Sequence, residues 1–509
     1  MCNDDCVRGD GLLSADSSVS DQPPRDECGV FGVWAPGEEV SRLTYFGLYA
    51  LQHRGQQSAG IAASDGQNIM VFKELGLVSQ VFNDQALSAL EGHLAVGHVR
   101  YATKDSNLWE NAQPSLGPTP TGSIALGNNG NFTNLAELRK WANKISSRQV
   151  PEDATGTQVV TALLGAYGSD KERAVRSREE GEDVAKPQTS RGSLIEAARA
   201  ILPKVYGGFS MVFMDERTLY GARDPHGLRP LVLGRLPSGW VLASETAALD
   251  IVGATFIREL EPGELIAIDS DGVRSFRFAE ATPHGCVFEY VYIARPDTRI
   301  SGRSIIVARQ EMGAHLAREH PVEADYVIST PESGTPAAIG YAQESGIPYA
   351  QGLVKNSYVG RTFIQPTQTI RQLGIRLKLN PLREIIEGKR LVVVDDSIVR
   401  GNTQRSLVTM LREAGAKEVH VRISSPPVGW PCFFGIDFPT RAELIASVMD
   451  EDAVCRSIGA DSLGYLSLEG MIESTAQPAE NLCMACFTGE YPMPVPPGTP
   501  IPGTPGVTK

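Results

Sequence analysis

The run Leu391-Val392-Val393-Val394-Asp395-Asp396-Ser397-Ile398-Val399-Arg400-Gly401-Asn402-Thr403 decides the fold of the second half of the chain. Its four leading apolar residues predict a buried strand. Two carboxylates stand at the strand's carboxyl end, and a turn containing Gly401 then opens a helix. In open α/β sheets, ligands bind at the carboxyl ends of strands, and the unpaired N–H groups of a helix start favour an anion. Adjacent carboxylates above such a nest suit ribose hydroxyls and Mg²⁺. No Gly-Lys-Ser/Thr is present, so this is not a Walker loop. Asp395-Asp396 taken alone also reads as a solvated turn.

Around this run the grammar is strand, turn, helix. Residues 304–319 and 335–346 predict helices, 324–328 and 390–394 strands, 403–415 an amphipathic helix and 419–423 another strand. That alternation implies a parallel sheet covered by helices. Upstream of about residue 265, the short apolar runs 28–34, 94–99, 209–214 and 240–243 are broken by Gly, Asn and Asp, with helices predicted over 157–166 and 193–201. This half is strand-rich. Residues 1–27 predict an unfolded leader, the mixed-sign stretch 170–191 a solvated loop, and 492–509, with seven prolines, a disordered tail.

With 509 residues the chain has room for two large domains or about three of ordinary size. Its 42% hydrophobic and 21% charged residues are those of a soluble globular protein. Lys plus Arg number 47 against 60 Asp plus Glu, a net charge of −13. This excludes a broad nucleic-acid surface and leaves room for a local basic pocket for a phosphorylated metabolite. No apolar run reaches the ~20 residues that span a bilayer. Residues 1–22 lack the apolar core of a secretory signal, so a cytoplasmic protein is expected, with neither nucleic acid nor membrane as partner.

The full 391–403 string resembles the phosphoribosylpyrophosphate (PRPP) signature of the type I phosphoribosyltransferases. The resemblance implies that Asp395 and Asp396 serve ribose and one Mg²⁺ per subunit, and that Ser397, Arg400, Gly401, Asn402 and Thr403 cradle the 5-phosphate. Residues 355–364 and 371–380 supply Lys355, Arg361, Arg371, Arg376 and Lys378. Such a basic run also reads as a solvated loop; in that family it resembles the mobile loop that closes over pyrophosphate and excludes water. Pro331-Glu332-Ser333-Gly334 matches the family's pyrophosphate-side loop, with Ser333 a further Mg²⁺ contact.

Cys28 stands where the predicted leader ends. With residues 1–27 removed it would carry a free α-amine of reference pKa ~7.7–8.0, just below the thiol's ~8.5, so one residue would hold both nucleophile and base. A lone cysteine here also reads as a buried structural one. Cys28-Gly29-Val30-Phe31-Gly32, His53-Arg54-Gly55-Gln56-Gln57-Ser58-Ala59-Gly60-Ile61, Gly97-His98-Val99-Arg100-Tyr101 and Asn129-Gly130-Asn131 together resemble the N-terminal-nucleophile (Ntn) glutaminases. With the PRPP signature behind them, the chain from Cys28 to about Tyr491 is similar to the glutamine PRPP amidotransferase family.

That resemblance implies two domains: an Ntn-hydrolase αββα sandwich over 28–265, then a type I phosphoribosyltransferase α/β domain over 266–491. Cys28 would attack the glutamine amide, and Asn129 and the Gly130 N–H would stabilise the oxyanion. Arg100 would capture the glutamine α-carboxylate, and Arg54 and Gly55 would shape the pocket wall. Released ammonia would displace pyrophosphate from PRPP through a shielded passage, giving 5-phosphoribosylamine for purine synthesis. Family members are typically homotetramers inhibited by purine nucleotides. The chain departs from the pattern at Ala154-Thr155-Gly156-Thr157-Gln158, where Thr-Ser-Asp-Thr-Glu is common, and at Asn128 and Asp105, where His and Gly are common. The Asp for the substrate's α-ammonium is thereby missing. Asp153 and Asp105 are the candidates to replace it, and the loss predicts weaker glutamine binding. Two rival readings are an ammonia-dependent enzyme with an impaired glutaminase and an inactive PRPP-sensing regulator; the sequence shows no DNA-binding module to support the latter.

The eight cysteines are residues 2, 6, 28, 286, 432, 455, 483 and 486, in a chain with no sign of a disulfide framework. Cys483-Met484-Ala485-Cys486 alone is compatible with zinc, a redox pair, an Fe–S cluster or none of these. The resemblance adds Cys286 and Cys432 as further ligands. Four thiolates suit a 4Fe–4S cluster or tetrahedral zinc equally by ligand type. The resemblance favours one 4Fe–4S cluster per subunit, in the subgroup that also carries a cleaved propeptide. Trp430, Phe433 and Phe434 would shield it, or simply pack a core. Cys455 reads as a buried spare, and Cys2 and Cys6 would leave with residues 1–27.

Overall fold

The computed structural model describes residues 28–495 except 102–107, 170, 174, 176–193, 357–377 and 439. The predicted leader, most of 170–191, Asp105, Arg361, Arg371, Arg376 and residues 496–509 lie outside the described residues.

The first domain opens with β1 (Gly29–Trp34), α1 (Val40–Ala50), β2 (Ser58–Ser64), β3 (Ile69–Leu75) and β4 (Leu94–Arg100). It continues through β5 (Ser115–Thr119), β6 (Gly122–Phe132), α2 (Leu135–Ile145), α3 (Gly156–Ala166) and α4 (Leu194–Ile201). Strands β7 (Gly207–Met214), β8 (Leu219–Arg223), β9 (Val232–Leu236) and β10 (Gly239–Ala243) follow, then β11 (Thr255–Glu259), β12 (Glu264–Asp269) and β13 (Gly272–Arg277). They form two antiparallel sheets, ordered β11-β9-β10-β1-β4-β2-β3 and β13-β12-β8-β7-β6-β5.

Strand alternation sorts the side chains into layers. From β1, Val30 enters the core between the sheets with Val96, Val212 and Leu242, while Phe31 and Val33 pack under α1 with Leu48. On the far face of the second sheet, Phe209 and Met211 meet Leu138, Val159 and Ala197 of α2, α3 and α4. The result is the expected αββα sandwich. Its sheet runs to Arg277, past the expected boundary at 265, because β12 pairs with β8 and β13 with β12. Pro262-Gly263, which punctuates the sequence there, is a turn within the sheet: the Gly263 N–H donates to the Arg223 and Asp224 carbonyls at 3.1 Å.

The second domain contains α5 (Ile305–Glu319), β14 (Tyr326–Ser329), α6 (Thr335–Ser345), β15 (Arg390–Asp395), α7 (Asn402–Glu413), β16 (Glu418–Ile423) and β17 (Ser462–Tyr465). The four strands are parallel, in the order β14-β15-β16-β17. β15 is buried on both faces, which is why it reads as a continuous apolar run. Val392 and Val394 pack toward Met312 and Tyr341, and Leu391 and Val393 toward Leu407 and Leu411. Met493 and Val495 pack beside Phe433, Phe434 and Cys483, so residues 492–495 belong to the fold rather than to the expected tail. Among the described residues, no helix is long and apolar enough to cross a membrane.

Candidate active site

Cys28 immediately precedes β1, the strand between β4 and β10. Its thiol donates to the Tyr101 carbonyl at 3.8 Å. A cavity of about 400 Å³ opens there, lined by Cys28, Arg100, Gly130, Gly156 and Asp437 among others. Arg100 closes β4. Burial lowers its pKa, opposed by the charge of the Cys28 sulfur, and a guanidinium stays cationic throughout.

Asn128, Gly130 and Asn131 line the same cavity. Between them Asn129 is wholly buried, and among the described residues neither its Oδ1 nor its Nδ2 has a hydrogen-bond partner. An orphaned buried polar group costs about 1–3 kcal/mol, a penalty that a bound acyl oxygen would relieve at the Nδ2 donor. Gly130 sits at φ +131°, where a Cβ would meet the Gly208 carbonyl oxygen at 2.0 Å, so only glycine fits. This part of β6 is fixed from behind: Asn128 receives His98 Nε2 on its carbonyl at 3.0 Å and donates its N–H to Gln113 Oε1 at 2.8 Å. Burial pushes the His98 pKa down to about 3, which keeps its ring neutral.

Gly156 starts α3 at the cavity wall. A Cβ there would lie 2.4 Å from the Phe132 ring, which fills the space a longer side chain would need. Asp153, one candidate to replace the missing carboxylate, is exposed and does not line the cavity. The opposite wall comes from the second domain. Residues Cys432 and 435–438 line the cavity, the Tyr101 hydroxyl donates to Asp437 Oδ2 at 3.0 Å, and Asn131 Nδ2 donates to the Phe433 carbonyl at 3.0 Å.

Arg54, expected in the pocket wall, lies behind it instead. It is wholly buried, its Nε donates to the Cys28 carbonyl at 3.4 Å, and its guanidinium pairs with Glu245 and, at 2.5 Å, with Glu289. The motif identified the residue, but spacing carries no information about which way a side chain points. Gly55 lets this turn lie on β4, since a Cβ would meet the Val99 and Arg100 backbone at 2.6 Å. Glu245 also accepts from His53 at 2.7 Å and from the Arg295 N–H and Thr298 hydroxyl at 3.0 and 2.7 Å. Burial would raise its pKa, but His53 and Arg54 outweigh burial and hold it well below the usual carboxylate range.

At the carboxyl end of β15, Asp395 and Asp396 are both buried. Asp395 accepts the Asp396 N–H at 3.0 Å and the Gln404 side-chain amide; Asp396 accepts the Ser397 hydroxyl at 2.6 Å. Burial, then the neighbouring Asp396 charge, pushes Asp395 well above its ordinary pKa. Burial also raises Asp396, opposed by a hydrogen bond from Ser333 and by the Arg309 charge. Ser333 thus lies beside the acidic pair. Gly401 caps α7 at φ +82° and, being glycine, supplies no side-chain cap to the helix start. Ile398 and Val399 anchor the preceding turn in the two cores flanking the sheet. Asn402 Oδ1 accepts from Arg405 at 2.8 Å, and Arg400 pairs with Glu443 at 3.0 Å. Lys355 faces the 331–334 loop through an ion pair with Glu332 at 3.2 Å. Lys378 closes the same ribbon, in which 353–355 pair with 379–381 and the Lys378 carbonyl accepts the Asn356 N–H at 2.8 Å.

Three chain segments bring Cys286, Cys432, Cys483 and Cys486 together. Cys286 pairs with Cys483 in a short parallel ladder, and the Cys486 carbonyl accepts the Gly429 and Trp430 N–H groups at 3.1 Å, just upstream of Cys432. Burial pushes the Cys483 thiol up to about 12. It raises Cys486 well above the ordinary thiol value, and Cys286, Cys483 and Cys432 raise it further. Phe433 and Phe434 pack tilted and edge-on against Tyr491 beside this group, whereas Trp430 lies under the Arg441 guanidinium at 3.7 Å. Among the described residues, no three His, Cys, Asp or Glu side chains close around a single metal ion as they stand. Cys455 is half-buried rather than buried and donates to the Ala460 carbonyl at 3.4 Å.

Sequence reasoning missed Asp437, Gln404 and Arg309. Arg309 is buried, its pKa lowered to about 10 by burial, and donates to the Tyr290 and Ala294 carbonyls at 2.8 Å. Helical spacing gave the only hint, by placing Arg309 on the buried face of α5.

A family model described as a glutamine amidotransferase domain matches residues 98–250. The solved Bacillus subtilis glutamine PRPP amidotransferase, complexed with ADP and GMP, superposes with a TM-score of 0.82 at 44% identity, covering 93% of this chain and 99% of that one. Fold and site therefore define a glutamine amidotransferase domain joined to a phosphoribosyltransferase-like sheet domain. An amidophosphoribosyltransferase of Mycobacterium bovis is 61% identical over 482 residues, covering 93% of this chain and 88% of its own length. That of Bacillus subtilis is 44% identical over 473 residues, covering 92% and 94%. The chain belongs to the amidophosphoribosyltransferase family, pentosyltransferase enzymes of purine biosynthesis.

Proposed function

We propose that this chain hydrolyses glutamine at Cys28 and uses the ammonia to convert PRPP to 5-phosphoribosylamine and pyrophosphate. The observation that carries this reading is the coexistence, in one chain, of a thiol cavity flanked by an orphaned amide and a buried carboxylate pair before a helix start capped only by a glycine.

After cleavage before Cys28, its thiolate attacks the glutamine amide carbon while its own α-amine holds the proton. The C–S bond forms, the C–N bond breaks, and the proton leaves with ammonia. Asn129 Nδ2 and the Gly130 N–H are the donors for the oxyanion, and Arg100 holds the α-carboxylate. Water then hydrolyses the thioester to glutamate. In the second domain, Ser397–Thr403 backbone and α7 N–H groups receive the 5-phosphate, and Lys355 and Lys378 sit at the stem that faces the pyrophosphate side. Ammonia's lone pair forms the bond to ribose C1 as the bond to pyrophosphate breaks.

The raised pKa values of Asp395 and Asp396 suit a site completed by a divalent cation. Asp395, Asp396 and Ser333 would hold Mg²⁺, which when bound neutralises charge on the pyrophosphate leaving group. Cys286, Cys432, Cys483 and Cys486 would hold a 4Fe–4S cluster, because buried thiols that raise one another's pKa favour a cationic iron centre that takes them as thiolates. Such a cluster would tie residues 286, 432 and 486 together and act structurally. Purine nucleotides as feedback inhibitors, suggested by the ADP and GMP of the Bacillus subtilis relative, and a homotetramer complete the proposal.

The test is anaerobic phosphoribosylamine synthesis from PRPP and Mg²⁺, with glutamine and ammonium chloride in parallel. Activity with both is expected. Activity with ammonium alone would place the fault in glutamine capture or leader removal, and inactivity with both, from folded iron-containing protein, would leave the PRPP-sensing regulator.

A further inference from the structure

We propose that Asp437, contributed by the second domain, is the carboxylate that holds the α-ammonium of glutamine in the Cys28 cavity. The inference rests on reading that cavity as the glutamine site. Glutamine carries opposite charges on one carbon, so a site that captures it needs an anion as well as the Arg100 cation. Among the described residues lining the cavity, Asp437 is the one acid. Position 156 cannot supply it, being a glycine whose side-chain space the Phe132 ring fills, and Asp153 is exposed.

Asp437 is also held in place. The Tyr101 hydroxyl fixes its Oδ2 at 3.0 Å, and Oδ1 has no donor among the described residues, leaving it to accept an ammonium. Tyr101 follows Arg100 directly, so the two charges that would bracket the substrate are set by adjacent residues of one strand end. The segment bearing Asp437 is tied to the first domain by Asn131 on the Phe433 carbonyl and Arg229 on the Phe434 carbonyl, at 3.0 and 3.1 Å. The glutamine site is therefore complete only when the second domain is seated, and loss of that seating lowers glutamine capture before it touches the thiol chemistry.

The test compares glutamine with glutaramate, the same side-chain amide without the α-amine, as glutaminase substrates of the full-length enzyme. Wild-type enzyme is expected to prefer glutamine by ~100-fold or more in kcat/KM, as sites built to bind a polar group reject the analogue lacking it. In Asp437→Asn this preference falls to within ~3-fold, through KM for glutamine rather than kcat, and Asp437→Glu restores part of it. Because both substrates are measured on one preparation, a partly folded variant cannot mimic the result. If Asp437→Asn does not fold, Tyr101→Phe, which only releases Oδ2, is expected to lower the preference by about 3–10-fold. An unchanged ratio in an active Asp437 or Tyr101 variant overturns the inference alone, as does collapse of the ratio in Asp105→Asn with Asp437→Asn unaffected. Wild-type enzyme that hydrolyses no glutamine overturns both this inference and the amidotransferase reading.

Discussion

At the domain junction, buried Arg54 lies between Glu245 and Glu289, and Glu245 in turn receives His53, Thr298 and the Arg295 backbone. At the end of β15, Asp395 and Asp396 lie side by side with no cation bound directly to them among the described residues; hydrogen bonds from Ser333 and Ser397, then the charge of Arg309, only partly offset burial at Asp396. Both groups are cut off from water, yet their pKa values move in opposite directions: Glu245 falls and the aspartates rise. The junction satisfies its own charges and needs nothing further. The acidic pair does not, and its negative charge is kept for a ligand at the cost of some stability.

Removing one side of the self-satisfied network should break that contrast most visibly. Glu245→Ala leaves buried positive charge and is expected to cost on the order of 3–5 kcal/mol, seen as a fall of roughly 10 °C in the thermal midpoint. A fall within error would show that the network contributes nothing. Because the folded pKa of Glu245 is depressed, its stabilisation is present above the ordinary carboxylate range and is lost as pH falls through the depressed value. Wild-type stability should therefore drop on strong acidification more steeply than that of Glu245→Gln.

The acidic pair should respond with the opposite sign. A raised folded pKa means that Asp395 favours the fold only in acid and loses that contribution as pH rises through the raised value. Asp395→Asn is thus expected to be more stable than wild type at neutral pH without ligand, by about 1–2 kcal/mol, while PRPP turnover falls ~100-fold or more. A lower thermal midpoint in the variant would contradict this. The smallest effect is expected at the Cys28 cavity. Gly156→Ala forces a Cβ against Phe132, and the overpacking, partly offset by better helix propensity, should leave a net loss near ~1 kcal/mol. Phe132→Leu in the same chain should recover it.

The two sites were unequally legible in the sequence because of how each is built. Strand, carboxylates, turn and helix start of the PRPP site are consecutive from Arg390 to Glu413, so local periodicity and turn chemistry expose them together. The Cys28 cavity draws on strand ends far apart in the chain and takes a wall from residues 432–438 of the other domain. Motifs recovered its thiol, its Asn-Gly pair and Arg100, but Asp437 stands in no pattern, and nothing local shows that Arg54 turns away from the cavity. The 265 boundary failed for a related reason: β12 and β13 form an ordinary hairpin whose partner β8 is not its sequence neighbour.

The most direct test of one chain holding two separable sites is phosphoribosylamine formation by wild type, Cys28→Ala and Asp395→Asn, each supplied with glutamine or ammonium. The account predicts that Cys28→Ala loses glutamine-dependent synthesis by roughly 10³-fold or more while still using ammonium, and that Asp395→Asn loses both. Ammonium use lost in Cys28→Ala together with glutamine use, or ammonium use retained in Asp395→Asn, would contradict it.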